Sequence, residues 1–348
     1  MKQESGVRGR GSAYSTRVAI FLITLSGLIL EVGLTRIYSA SIWYHFAFVA
    51  ISVALLGWGL GGFTVHVWKG VRSREPERRE PGVGSREPGK KRATPPLSMN
   101  AAAFVTILYA LAIPLCLWLL VRYPFDMDRL PLYFLAPLLP FFLAGMALSI
   151  IFDVHRAAAG TLYFYDLVGA ALGAVLVTLL LHVFGGEAAL LVGAVAPAVA
   201  ALLLALAPAK SEVRDQRSEI SEGQRASGKW ESEGVVGSAA RGTSLRAIQV
   251  IAIIAVVLTA AAAFSAIKFG AFRVKPGTTK AMRNQMDAAP GSHIVQTGWN
   301  AYSRIDCVEG LPNSFARLYI DSDAWTGIPL VQAVGLTWSR RSLQEARK

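Results

Sequence analysis

Of the 348 residues, 53% are hydrophobic and only 17% charged, a balance too apolar for an ordinary soluble domain of this length. Much of the net charge of +12 lies in polar segments between apolar stretches, where membrane topology accounts for it, so a nucleic-acid partner is not expected. Two cysteines, Cys116 and Cys307, give no disulfide framework.

Seven long apolar stretches follow one another, at 17–40, 45–68, 100–121, 132–153, 160–183, 188–208 and 246–267. A hydrocarbon core about 30 Å thick needs about 20 apolar residues at helical rise. With no water at that depth the backbone must satisfy itself, so each stretch is expected to be a helix. The expected fold class is an all-α polytopic membrane helix bundle of about seven transmembrane helices, followed by a short C-terminal β-hairpin segment. The chain then divides into a cytoplasmic arm (1–16), a multipass transmembrane domain (17–267) and a soluble tail (268–348). A signal-peptide reading of 17–40, cleaved after Tyr38-Ser39-Ala40, is outweighed by the length of the stretch and by Glu31 and Arg36 within it.

Lys and Arg number 21 in the arm and the second, fourth and sixth connectors, against 2 (Arg122 and Arg129) in the alternate connectors. The positive-inside rule therefore predicts a cytoplasmic N-terminus, in a plasma (inner) membrane, and seven spans then put the tail outside. The connector at 69–99 repeats Arg-Glu-Pro three times, and the one at 209–245 is rich in Ser, Glu, Gly and Arg. Both are expected to be disordered linkers, with anionic lipid headgroups as a candidate target for their charge.

Ionisable groups at membrane depth are costly, which makes Glu31, Arg36 and Asp166 the intramembrane candidates. Glu31 and Arg36 stand about 140° apart on a helix and so do not share a face. The three either line a polar pathway or form interhelical ion pairs that fix helix register. Gly57, Gly59, Gly61 and Gly62, and the pair Gly169-xxx-Gly173, predict close helix packing. Pro114, Pro137 and Pro140 are expected to kink their helices. His45, His66, His155 and His182 fall at helix ends with no metal-ligand spacing, so no metal is expected.

Past residue 267 the patterning changes to period two. Residues 299–309 read as a strand, Gly310-Leu-Pro-Asn313 as a turn and residues 316–321 as a second strand. A lone hairpin is marginal in water and normally belongs to a larger sheet.

In order and spacing, several motifs resemble the membrane-anchored spermidine synthase-like proteins, homologues of the polyamine aminopropyltransferases with a multipass N-terminal region. In the apolar region these are Ser26-Gly-Leu-Ile-Leu-Glu31 with Thr35 and Arg36, Tyr44-His-Phe-Ala-Phe with Ser52 and the glycines from Gly57 to Gly62, Leu139-Pro-Phe-Phe-Leu-Ala-Gly145, and Tyr165-Asp166-Leu-Val-Gly-Ala. In the tail they are Trp299-Asn300-Ala-Tyr-Ser303-Arg304 and Tyr319-Ile-Asp321-Ser-Asp323-Ala-Trp-Thr326, with Ser322 where the family usually carries glycine. The resemblance implies a small β-domain leading into a Rossmann-like domain, which would bind decarboxylated S-adenosylmethionine and transfer an aminopropyl group to a polyamine. That chemistry needs a glycine-rich turn for the nucleoside and acidic residues for the ribose and amine.

Only 22 residues follow Thr326, without a Gly-x-Gly turn, whereas one βαβ unit takes about 30. The expectation is thus a membrane module with an incomplete synthase domain, without catalytic residues or a cofactor of its own. Its partners would be the lipid bilayer and a separately encoded synthase domain. An S-adenosyl substrate is a cytoplasmic metabolite, so an external tail also argues against catalysis. The alternative is a transporter of polyamines or similar small solutes that uses Glu31 and Asp166.

Overall fold

The computed structural model describes residues 3–72, 98–207, 236–300, 302–312, 314 and 316–328. Seven long helices account for the seven apolar stretches: α1 (Gln3–Ser41), α2 (Ala47–Arg72), α3 (Met99–Arg122), α4 (Leu130–Val154), α5 (Ala159–Phe184), α6 (Gly186–Leu206) and α7 (Val236–Phe269). They underlie seven segments of 21 to 29 residues, long and apolar enough to cross a membrane, two of which (Met127–Val154 and Arg156–Phe184) begin a turn before the helix proper. The chain is an integral membrane helix bundle.

Helix ends differ from the expected boundaries. α1 runs back through the arm to Gln3, and α7 starts at Val236, ten residues before the apolar stretch at 246–267. Once an apolar segment has nucleated a helix, adding a residue costs little, so polar flanks join it. The segment 236–245 is therefore helix rather than linker. The remaining linker stretches, 73–97 and 208–235, lie outside the described residues. Helices α3, α4 and α6 continue through Pro114, Pro137, Pro140 and Pro197, as membrane helices tolerate where neighbours re-satisfy the backbone.

Small residues set the two closest helix pairs. A Cβ added to Gly169 would lie 2.4 Å from the Phe21 carbonyl oxygen, and one on Gly173 2.5 Å from that of Leu25, so α5 lies against the α1 backbone. Likewise a Cβ on Gly57 or Gly61 would run into the residues 141–146 of α4. In both pairs the contacts advance in step, so the helices run parallel. Buried tyrosines spend their hydroxyls across helices: Tyr109 on Ser26 Oγ at 3.2 Å, and Tyr38 on the Tyr133 carbonyl.

After α7 the chain makes a short helix α8 (Ala281–Asp287) and four strands, β1 (His293–Trp299), β2 (Arg304–Glu309), β3 (Ala316–Ile320) and β4 (Ala324–Ile328). They form an antiparallel sheet in the order β1-β2-β3-β4. The expected hairpin is β2–β3, with Glu309 opposite Ala316. The strand expected over 299–309 is interrupted, because Asn300 Oδ1 accepts the Tyr302 and Ser303 amides at 2.7 Å and turns the chain between β1 and β2. Met282 of α8 packs with Val308, Leu311 and Tyr319 in a second, small core.

Candidate functional site

The sheet is seated on one end of the bundle, and the sequence motifs of the tail converge at that seat. The end is formed by the C-terminus of α1, the α3–α4 connector and the α5–α6 connector. A helix C-terminus leaves carbonyls without intrahelical partners, and the tail supplies donors for those of α1. Lys280 Nζ donates to the Ser39 carbonyl and the Gly277 amide to the Ser41 carbonyl, both at 2.8 Å. The Lys280 ammonium also meets the negative end of the helix dipole. Gly277 is required here: a Cβ would stand 2.8 Å from the Ser41 oxygen. In the α3–α4 connector, Phe125 accepts the Thr278 amide through its carbonyl.

Asp321 ties the turn between β3 and β4 to the bundle. Its Oδ2 accepts from Ser39 Oγ and its Oδ1 from the Arg304 amide, each at 2.8 Å. The turn needs left-handed backbone at Asp321 (φ 50°) and Ser322 (φ 62°). Asp323 lies 3.9 Å from Lys280 Nζ. Burial, the larger effect, pulls the Lys280 amine below its ordinary value, against the opposing pull of Asp323 and Asp321.

Arg304 is the second anchor. Its Nε lies 3.0 Å from the fully buried Asp306 carboxylate, its Nη1 donates to the Val274 carbonyl at 3.1 Å, and its guanidinium stands 5.9 Å from the Trp299 ring. Thr297 Oγ1 donates to Asp306 at 2.8 Å. The Trp299 ring lies on Gly185 and Gly186, where a Cβ on Gly186 would be 2.8 Å from it. One residue on, the buried Glu187 accepts the Val274 amide at 2.9 Å.

Trp299, Asn300, Ser303, Arg304, Asp321 and Asp323 are thus gathered at one seat. Thr326 is exposed on β4, paired with Leu318. Of the intramembrane candidates only Arg36 reaches the seat, donating to the Tyr302 carbonyl at 3.3 Å while its buried Nε has no partner among the described residues. Glu31 and Asp166 are apart. Thr24 Oγ1 donates to the Asp166 carbonyl at 3.1 Å, and along the parallel α1 and α5 about 15 Å of helical rise separates the two carboxylates. Among the described residues neither carboxylate has an ion-pair partner.

Lys280, Ser39, Asp306, Thr297 and Glu187 belong to the seat but carry no sequence signal as strong as the motifs. Asp306 alone had a weaker signal, since period two puts it on the face of Arg304 and Val308. Chemically, most of the polar groups here are committed to one another, which makes the seat a lock. Among the described residues no group of three His, Cys, Asp or Glu side chains converges to hold a metal. No protein-family model, curated protein or solved structure matches the chain.

Proposed function

We propose that this chain is a non-catalytic anchor or scaffold, the membrane module of a spermidine synthase-like protein, whose bundle holds its sheet rigidly at the membrane surface. The observation that carries this reading is the seat itself. Two buried cations, Lys280 and Arg304, are spent on bundle carbonyls, tail carbonyls and tail carboxylates rather than left facing a ligand. A separately encoded synthase domain is the partner the reading implies.

The orientation follows from charge. The sheet sits at the end carrying the connectors with 2 Lys and Arg, whereas in the sequence the arm and the alternate connectors carry 21. With the N-terminus in the cytoplasm of a plasma membrane, the sheet is outside, away from S-adenosyl metabolites. Glu31 and Asp166, without ion-pair partners among the described residues, favour a second reading as a polyamine or small-solute transporter. Flux of radiolabelled spermidine into proteoliposomes separates the two. The anchor gives no flux above empty vesicles; saturable uptake that Glu31→Gln or Asp166→Asn removes establishes the transporter instead.

A further inference from the structure

The parallel packing of α2 on α4 changes along its length. At Gly57, Gly61 and Gly145 the backbones touch: a Cβ on Gly61 would lie 2.3 Å from the Phe142 carbonyl oxygen, and one on Gly145 2.5 Å from that of Trp58. Two turns beyond Gly61, at the end of the bundle away from the sheet, the two helices leave an open cavity of about 280 Å³. Val65 and Phe152 give it apolar walls, while Lys69, Asp153, Arg156 and His66 give it polar ones.

The charges there do not balance. Lys69 Nζ is 2.5 Å from Asp153 Oδ1, and Arg156 bonds the same oxygen. One carboxylate therefore fixes two cations, and among the described residues the lining keeps a net positive charge in a cavity where α2 and α4 end. Basic pockets between membrane helices recognise phosphate-bearing headgroups.

The α2 surface leading from the cavity toward mid-membrane decides which kind of phosphate fits. Gly59 and Gly62 share the helix face of His66, and a Cβ on either would meet nothing within 4 Å. This bare backbone is a shallow trough beside the exposed Phe63 and runs toward the exposed Leu55. An acyl chain can lie flush in it, whereas a free phosphate gains nothing from it. We propose that the cavity binds an anionic phospholipid, with Lys69 and Arg156 on the headgroup phosphate and an acyl chain along Gly62 and Gly59. Lys69, the first residue of the connector expected at 69–99, lies within α2, and the site is separate from the seat of the sheet.

The test titrates the purified full chain, in detergent, with dioctanoyl phosphatidylglycerol and reads occupancy by native mass spectrometry. Binding should weaken about fivefold for each cation removed, in Arg156→Gln and then in the Lys69→Gln/Arg156→Gln pair. Gly62→Leu fills the trough and should abolish lipid binding without touching a charge. Arg156 is largely exposed, so its variant keeps the fold even where the double variant does not. Undiminished binding in both Arg156→Gln and Gly62→Leu overturns the proposal. So does equal binding of dioctanoyl phosphatidylcholine. Competition by inorganic phosphate with Gly62→Leu silent assigns the site to free phosphate and overturns the lipid.

Discussion

Ser322 holds a backbone conformation that glycine adopts at lower cost, with φ at 62° and its buried hydroxyl without a partner among the described residues. A Cβ in the left-handed region costs about 1–2 kcal/mol. Ser322→Gly should therefore stabilise the sheet by ~1 kcal/mol, after the extra freedom of glycine in the unfolded chain is subtracted, visible as a higher melting temperature of the tail. Asp321→Gly should do the reverse, because Asp321 links Ser39 to Arg304. Lys280 gives a prediction with a sign. Its folded pKa lies below 10.5, so between the two values the unfolded chain holds a proton that the folded chain has lost, and this residue makes stability rise with pH. Cys307 and Tyr319, whose values burial pushes up, act in the opposite direction at alkaline pH but are shared with a Lys280→Met variant. The wild-type melting curve minus that of Lys280→Met should isolate a positive slope below pH 10.5; a flat difference would show that Lys280 titrates as it does in the unfolded chain.

At the scale of elements, the glycines separate packing from mere composition. The sequence singled out four of the five in α2 and two of the three in α5 without saying which ones touch a neighbour. Gly57 and Gly61 face α4, whereas Gly59 and Gly62 face open space. Gly169→Ala would press a methyl onto the Phe21 backbone oxygen, which cannot rotate away. It should cost about 1–3 kcal/mol, the usual range for overpacking. Gly59→Ala should be neutral or slightly stabilising, since it meets nothing and alanine favours helix. Detergent-unfolding curves of the two variants compare them directly, and equal losses would mean that α1 and α5 are not in backbone contact. The strand pattern was legible for a related reason: alternation is local, so β2 and β3 were readable. β1 was hidden because most of its residues are exposed and its face pattern is weak.

At the scale of the whole molecule, topology can be tested with the native cysteines. Cys116 is buried in the bundle and Cys307 is half-exposed on β2. A membrane-impermeant maleimide applied to intact cells should label Cys307 and spare Cys116. Labelling should speed up as pH rises, because burial and then Glu309 push the Cys307 thiol above its ordinary value. Labelling that appears only after permeabilisation would reverse the orientation.

The sequence by itself determined seven helices and which connectors share an end of the bundle. Apolar length and backbone self-satisfaction are properties of each segment alone, and alternation of ends follows from their number. It also pointed to Trp299, Arg304, Asp321 and Asp323. Only the tertiary structure decided what those residues meet. Lys280 reaches the Ser39 carbonyl across 241 positions of sequence, and Glu187 reaches Val274 across 87. Such pairings arise when a helix end with unfilled carbonyls and a tail with spare donors are brought together by packing. The same distance effect kept Glu31 and Asp166 apart: their depths depend on the stagger of α1 against α5, which the close approach at Gly169 and Gly173 fixes and no local pattern encodes.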